Sequence, residues 1–264
     1  MHLGLEGKRA LVTGSTGGIG LATARELARE GASVTINGRT EARVREALAQ
    51  LRTELPSAAL DGVAADLGTE AGCRLMGERL PEVDILVNNL GIFEPKPFEE
   101  ISDHDWLRFF ETNVLSGVRM ARHYLPAMRA RDWGRIIFVS SESALQIPTD
   151  MIHYGTTKTA QLAVARGLAE SLTGTRITVN CVLPGPTASE GVQSFVAQMA
   201  AARGVDAATV ERDFFKTARP TSILQRFTDP SEVAAMIVYL SSIRASATTG
   251  AALRVDGGVV RSIV

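Results

Sequence analysis

Seven short apolar runs alternate with amphipathic stretches along this chain, and a glycine-rich turn follows the first run. With 45% hydrophobic residues to fill a core, these features place the chain in the α/β class. The expected architecture is a doubly wound, seven-stranded parallel sheet with helices on both faces. Parallel neighbours need long crossovers, and helical stretches are what separate the runs. Residues 1–264 are expected to form a single domain, because no internal repeat, low-complexity tract or Pro/Ser-rich linker divides them.

The strand-like runs are Arg9–Thr13, Ser33–Asn37, Asp61–Ala65, Asp84–Asn88, Arg135–Ser140, Thr178–Leu183 and Ala252–Val255. Between them lie stretches with apolar residues at three- and four-residue spacings: Ile19–Glu30, Glu41–Glu54, Thr69–Leu80, Asp103–Arg129, His153–Leu172 and Asp229–Ser241. Asp103–Arg129 carries Trp106, Phe109, Phe110, Val114, Val118 and Leu125, more apolar surface than one sheet-facing stripe uses, which predicts a partner subunit against it. The rhythm fails after Pro184-Gly185-Pro186. Residues of about 186–228 lack a strand pattern and read as an inserted helical flap beside a substrate.

Several function classes are excluded by composition. The net charge is −1 with basic and acidic residues interspersed, so neither a nucleic-acid stripe nor a polybasic membrane patch is present. The first eight residues lack a signal pattern and no apolar run reaches about 20 residues, so a soluble, cytoplasmic protein is expected. Cys73 and Cys181 are far apart and read as small buried apolar residues without a disulfide. No metal is expected, since the four histidines form no zinc-ligand pattern. No serine is flanked by the glycines of a hydrolase elbow, and Thr157 stands where a phosphate-binding P-loop around Lys158 would need glycine.

Two features carry chemistry. In Thr13-Gly14-Ser15-Thr16-Gly17-Gly18-Ile19-Gly20 a strand passes into a helix through glycines, where main-chain N–H groups and the helix dipole can receive a pyrophosphate. Tyr154 and Lys158, four apart on a helix, share a face, so the ammonium is expected to lower the phenol from its ordinary value near 10. A proton-donating tyrosine behind a dinucleotide turn points to hydride transfer onto a carbonyl. At the end of the second strand, where dinucleotide enzymes that use NAD tend to carry an acid for the ribose, the sequence is Asn37-Gly38-Arg39-Thr40, without an acid and with an arginine suited to the extra phosphate of NADP. NADP(H) is therefore expected, with NAD(H) as the other reading.

Gly14-x-x-x-Gly18-Ile19-Gly20, Asp66-Leu67, Asn88-Asn89-Leu90-Gly91, Asn113, Ser141, Tyr154-x-x-x-Lys158, Pro184-Gly185 and Val255-Asp256-Gly257-Gly258 together resemble the classical short-chain dehydrogenase/reductase family, from about Leu5 to the carboxyl terminus. The resemblance implies a Rossmann-type domain in which Ser141 hydrogen-bonds the carbonyl, Tyr154 donates the proton, Lys158 holds the nicotinamide ribose and Asn113 binds a relay water. It further implies cofactor contacts at Gly14, Ser15, Thr16, Gly18, Ile19, Gly20, Arg39, Asp66, Leu67, Asn89, Gly91, Tyr154, Lys158, Pro184, Gly185 and Thr187. Asp66 would meet the adenine and Thr187 the carboxamide or a nearby phosphate. Leu90 departs from the family's usual alanine. Family members commonly form homotetramers.

The nearest family comparison is with 3-oxoacyl-carrier-protein reductases. Arg129, Arg131 and Arg135 could attract an acidic carrier or form an ordinary solvated basic loop. Phe93, Leu145, Ile147, Met151, Phe195, Met199, Phe214 and Phe215 are candidates for an apolar substrate cleft. The implied activity is interconversion of a ketone and a secondary alcohol. The alternatives are an NAD-linked alcohol dehydrogenase and a non-catalytic dinucleotide sensor.

Overall fold

A computed structural model describes residues 2–263. Its strands are β1 (Arg9–Val12), β2 (Ser33–Gly38), β3 (Leu60–Ala64), β4 (Ile85–Asn88), β5 (Gly134–Val139), β6 (Ile177–Pro184) and β7 (Ala252–Val255). All pair in parallel, in the order β3-β2-β1-β4-β5-β6-β7. The order reverses between β1 and β4, which opens a crevice at the carboxyl ends of those strands, the place where open parallel sheets bind ligands.

Two apolar layers cover the sheet. On one face Leu21, Leu27, Val44, Leu51, Val233 and Ile237, from α1 (Gly18–Arg29), α2 (Glu41–Glu54) and α9 (Pro230–Ser241), pack on Val12, Val34 and Ile137. On the other, Met76, Met120, Tyr124 and Ala165, from α3 (Glu70–Arg79), α5 (Ser116–Arg131) and α6 (Ile152–Glu170), pack on Leu11, Leu86, Phe138 and Val179. Strands sandwiched in this way are buried on both sides, so they are continuous apolar runs instead of alternating ones.

The stretch expected as one helix from Asp103 consists of α4 (Asp103–Phe110), a π-helical turn (Glu111–Leu115) and α5. The start is fixed by a reciprocal capping box between Ser102 and Asp105. The widened turn holds Asn113, and such turns are common at functional sites. The flap consists of α7 (Glu190–Arg203) and α8 (Ala207–Thr217). Ser189 and Asp206 cap these helices by accepting from Val192 N and Thr209 N.

The candidate basic patch does not exist as a unit. Arg135 is buried, its guanidinium donating to the carbonyls of Ser242, Gly134 and Arg176 and stacking on Trp133. Burial pushes its pKa down to about 10. Arg131 is held by Glu82 and Asp84, which leaves Arg129 as the one of the three that is exposed and without an ion pair among the described residues.

Candidate active site

The glycine turn is shaped by its neighbours more than by itself. The Thr13 hydroxyl accepts from Asn89 N and Leu90 N at 2.9 and 3.0 Å, and the Asn89 amide donates to the carbonyls of Thr13 and Gly14 at 2.9 Å each. Gly14 N donates to the Asn37 carboxamide at 3.1 Å. The Ser15 hydroxyl donates to Val12 O at 2.6 Å and accepts from Asn37 N at 2.9 Å, so it links the ends of β1 and β2. Gly14 and Gly18 have φ of +58° and +54°, a conformation that favours glycine.

A side chain at Gly20 would place its Cβ 2.6 Å from both Asn89 Nδ2 and Gly14 O. No side chain caps the start of α1, leaving its first N–H groups open above this cradle. The donors and the close backbone approach fit a pyrophosphate. Gly20→Ala is expected to lower stability by about 1–3 kcal/mol and to weaken cofactor binding at least about tenfold, by thermal denaturation and NADPH titration. Unchanged affinity would dissociate the turn from the cofactor.

Beside the turn, a Cβ at Gly38 would lie 2.5 Å from Thr16 Cγ2. The position where an acid would grip a ribose is thus closed by Thr16. Arg39 is exposed and makes no ion pair among the described residues. Arg43, one helical turn on, pairs at 3.3 Å with both Glu46 and Glu190. Asp66 is exposed and accepts from Gly68 N at 3.1 Å, whereas the Leu67 side chain is buried in the core.

A cavity of about 590 Å³ lies at the carboxyl ends of β4, β5 and β6. It gathers Ile19, Asn89, Gly91, Ser141, Tyr154, Lys158, Pro184, Gly185 and Thr187 in its walls. Gly14–Gly18, Gly20, Arg39, Asp66 and Leu67 lie outside it, toward β2 and β3. Gly185 permits the close approach of the segment after β7, since a Cβ there would be 2.6 Å from Asp256 O. Thr187 donates to Gly185 O at 2.9 Å and meets Thr228 Oγ1 at 3.0 Å. Of the apolar candidates, Phe93, Met151 and Phe214 line the cavity; Phe215 is core, and Leu145, Ile147 and Met199 face solvent. The Phe195 side chain lies outside the described residues.

Lys158 Nζ donates to Val139 O at 2.9 Å, and Ser140 Oγ donates to Lys158 O at 2.9 Å, seating α6 on the end of β5. Nζ would be 3.3 Å from a Cβ at Gly91, so a glycine there keeps the ammonium open to the cavity. Asn113 lies behind this wall. Its carboxamide accepts from Ile92 N at 2.8 Å and donates to Ile92 O and Thr157 Oγ1 at 3.0 and 2.9 Å, while its main-chain carbonyl accepts from Gln161 at 2.6 Å.

The electrostatics correct one sequence expectation. Burial pushes Tyr154 up to about 12, with Ser141 acting in the opposite sense, and Lys158 is not among the groups that lower it. Burial likewise pushes Lys158 down to about 8. The two side chains are neighbours, Nζ standing 5.6 Å from the phenol ring centroid, but withdrawal from water dominates both. His153 packs on Phe109, with ring centroids 4.1 Å apart, and is fully buried. Among the described residues no group of three His, Cys, Asp or Glu could hold a metal, and no helix is long and apolar enough to cross a membrane.

Residues 8–200 match the short chain dehydrogenase family. The chain is a classical short-chain dehydrogenase/reductase. This family member is 51% identical to the uncharacterized oxidoreductase YvaG of Bacillus subtilis, over all of both chains. It is 31% identical to the 3-oxoacyl-[acyl-carrier-protein] reductase of Aquifex aeolicus, over 98% of this chain and 100% of that one. In structure it resembles L-sorbose reductase from Gluconobacter frateurii, complexed with NADPH and L-sorbose, at a TM-score of 0.93, 32% identity and complete coverage of both chains. The short-chain dehydrogenase/reductase assignment fixes a Rossmann-like oxidoreductase.

Sequence reasoning overlooked Asn37, which shapes the turn, and Glu142 and Arg219, which lie in the cavity wall. Asn37 was legible as the last polar residue of a buried strand. Arg219, 77 residues from its partner Glu142, left no local signal.

Proposed function

We propose that this protein is an NADP(H)-dependent oxidoreductase interconverting a ketone and a secondary alcohol. The observation that carries the reading is the convergence of Ser141, Tyr154 and Lys158 on one cavity wall, beside Gly91 and the Pro184–Thr187 segment and next to the glycine turn. The nicotinamide cofactor, when bound, supplies or accepts the hydride. Tyr154 Oη gives the carbonyl oxygen its proton, and Ser141 Oγ donates a second hydrogen bond to the same oxygen, so negative charge developing there meets two fixed donors. Lys158 Nζ binds the nicotinamide ribose and replaces the phenolic proton, with Asn113 linking that lysine to solvent. The turn from Gly14 to Gly20 receives the pyrophosphate, Arg39 the extra phosphate, and Asp66, Leu67 and Asn89 the adenosine side.

The whole chain acts as one catalytic domain, with about 186–228 as a substrate flap. The exposed Leu107 and Leu115 on the α4–α5 face support a homotetramer. Sedimentation should then give four times 28.2 kDa, and a monomer at micromolar concentration overturns the assembly. The catalytic reading is tested by NADPH consumption over a panel of ketones. Turnover of at least one ketone is expected; NADPH that stabilises the protein thermally but is never consumed would identify a sensor instead.

A further inference from the structure

We propose that Glu142 and Arg219 form a clamp for a hydroxyl group next to the reacting carbonyl, which makes α-hydroxyketones the substrates of the reaction proposed above; the inference rests on that reading. Glu142 follows Ser141 directly and is only 3% exposed, yet it lines the cavity. One of its oxygens, Oε2, accepts from Ser141 Oγ at 2.5 Å, Ser143 N at 2.6 Å and Ser143 Oγ at 2.9 Å. The other, Oε1, accepts from Arg219 Nε at 2.7 Å. Arg219 reaches in from the end of the flap, its Nη1 donating to Ala218 O at 2.9 Å and its Nη2 making no hydrogen bond among the described residues. A buried ion pair is a poor way to stabilise a fold, because apolar residues of the same volume usually do as well. Its place in the wall of the reaction cavity gives it a different use.

The hydrogen bonds specify what it would hold. Ser141 has one proton, and it now points at Glu142. To assist a ketone, Ser141 must turn that proton to the substrate oxygen, which deprives the buried carboxylate of a donor. A hydroxyl on the carbon beside the carbonyl restores the missing bond by donating to Glu142, and its oxygen can accept from Arg219 Nη2. A simple ketone presents a methyl or methylene there, so the carboxylate keeps only its bonds from Ser143 and Arg219 Nε, and Arg219 Nη2 gains no acceptor; the hydroxyl's two added bonds are what separate the analogues. Charge argues against an oxo acid. The charged groups in the wall, Glu142, Asp150, Lys158 and Arg219, cancel, and the Arg219 guanidinium is already paired with Glu142 at 2.7 Å, so no surplus of positive charge is there to hold a carboxylate. The remaining wall near them is apolar, including Met151, Val192, Val196 and Phe214.

The test compares hydroxyacetone, butanone, which carries methyl in place of hydroxyl, and acetoacetate. NADPH-dependent kcat/KM is measured for wild type, Glu142→Gln, Arg219→Met and Arg219→Lys. Calorimetric affinity for the same three compounds is measured on Tyr154→Phe with and without NADPH. Hydroxyacetone should exceed butanone by at least about tenfold in both rate and affinity, with acetoacetate weakest. Arg219→Met and Glu142→Gln should collapse the ratio of hydroxyacetone to butanone, and Arg219→Lys should restore part of it. Butanone equal to hydroxyacetone in wild type, acetoacetate preferred, or a ratio unmoved in both variants overturns the clamp. Absence of turnover on every ketone defeats the reductase reading separately, and the binding series then still decides the clamp: a hydroxyl preference supports it and equal affinities reject it.

Discussion

Replacing Tyr154 by phenylalanine should lower kcat by about 10²–10⁴-fold while NADPH affinity stays within about twofold. The substitution removes one oxygen and keeps the ring that stands edge-on to Phe93 with centroids 6.3 Å apart, so the cavity wall survives and only the proton is lost. Burial, which pushes the phenol up to about 12, sets the direction of the accompanying pH dependence. A group with a raised pKa keeps its proton throughout the neutral range, which is the form that ketone reduction requires. The kcat/KM of reduction reports the free enzyme and should therefore be flat across neutrality, whereas alcohol oxidation, which needs the phenolate, should rise with pH. Lys158, pushed down to about 8, loses its charge as pH rises through that value, so any help it gives the phenolate fades there. Steady-state profiles in both directions check the pair of statements. A Tyr154→Phe enzyme with comparable turnover removes Tyr154 from the chemistry, and a reduction profile that declines well below the pH at which Lys158 loses its charge shows that the phenol is far more acidic in the working enzyme.

How much of this was legible in the sequence depended on the range of the interaction concerned. β7 is Ala252–Val255 and α2 is Glu41–Glu54, both as periodicity indicates, because apolar spacing and Thr40 as a cap are local properties. The four-residue spacing of Tyr154 and Lys158 likewise placed both side chains in one wall. Their acidities were not legible, since spacing reveals the neighbour but not the loss of water that outweighs it. The π-helical turn at Glu111–Leu115 keeps the apolar pattern of a helix and so reads as uninterrupted helix; its cause is tertiary, the carboxamide of Asn113 being tied to Ile92 and Thr157. Ser15 and Arg135 show the same limit from the other side. An arginine near two others suggests a basic patch, but Arg135 is drawn under Trp133, and the Ser15 hydroxyl, in a turn expected to meet the cofactor, also joins two strand ends.

Arg39→Ala should weaken NADPH binding by about ten- to a hundredfold and leave NADH binding nearly unchanged. The magnitude is that of losing a charge-assisted hydrogen bond or two to a phosphate, about 1.5–3 kcal/mol. The selectivity follows from the surroundings. Arg39 is exposed and has no ion-pair partner among the described residues, so its removal leaves no buried group unsatisfied and should not disturb the fold. No acid competes for the ribose at position 38, where even a Cβ would collide with Thr16. Arg43 stands nearby but is engaged by Glu46 and Glu190, so it can compensate only by breaking those pairs, and the residual NADPH preference of the variant measures how far it does. Fluorescence titration of both cofactors distinguishes the outcomes. Selective loss of NADPH assigns the guanidinium to the phosphate, whereas equal weakening of the two cofactors would mean that Arg39 shapes the adjoining turn and that the choice of NADP(H) is made elsewhere.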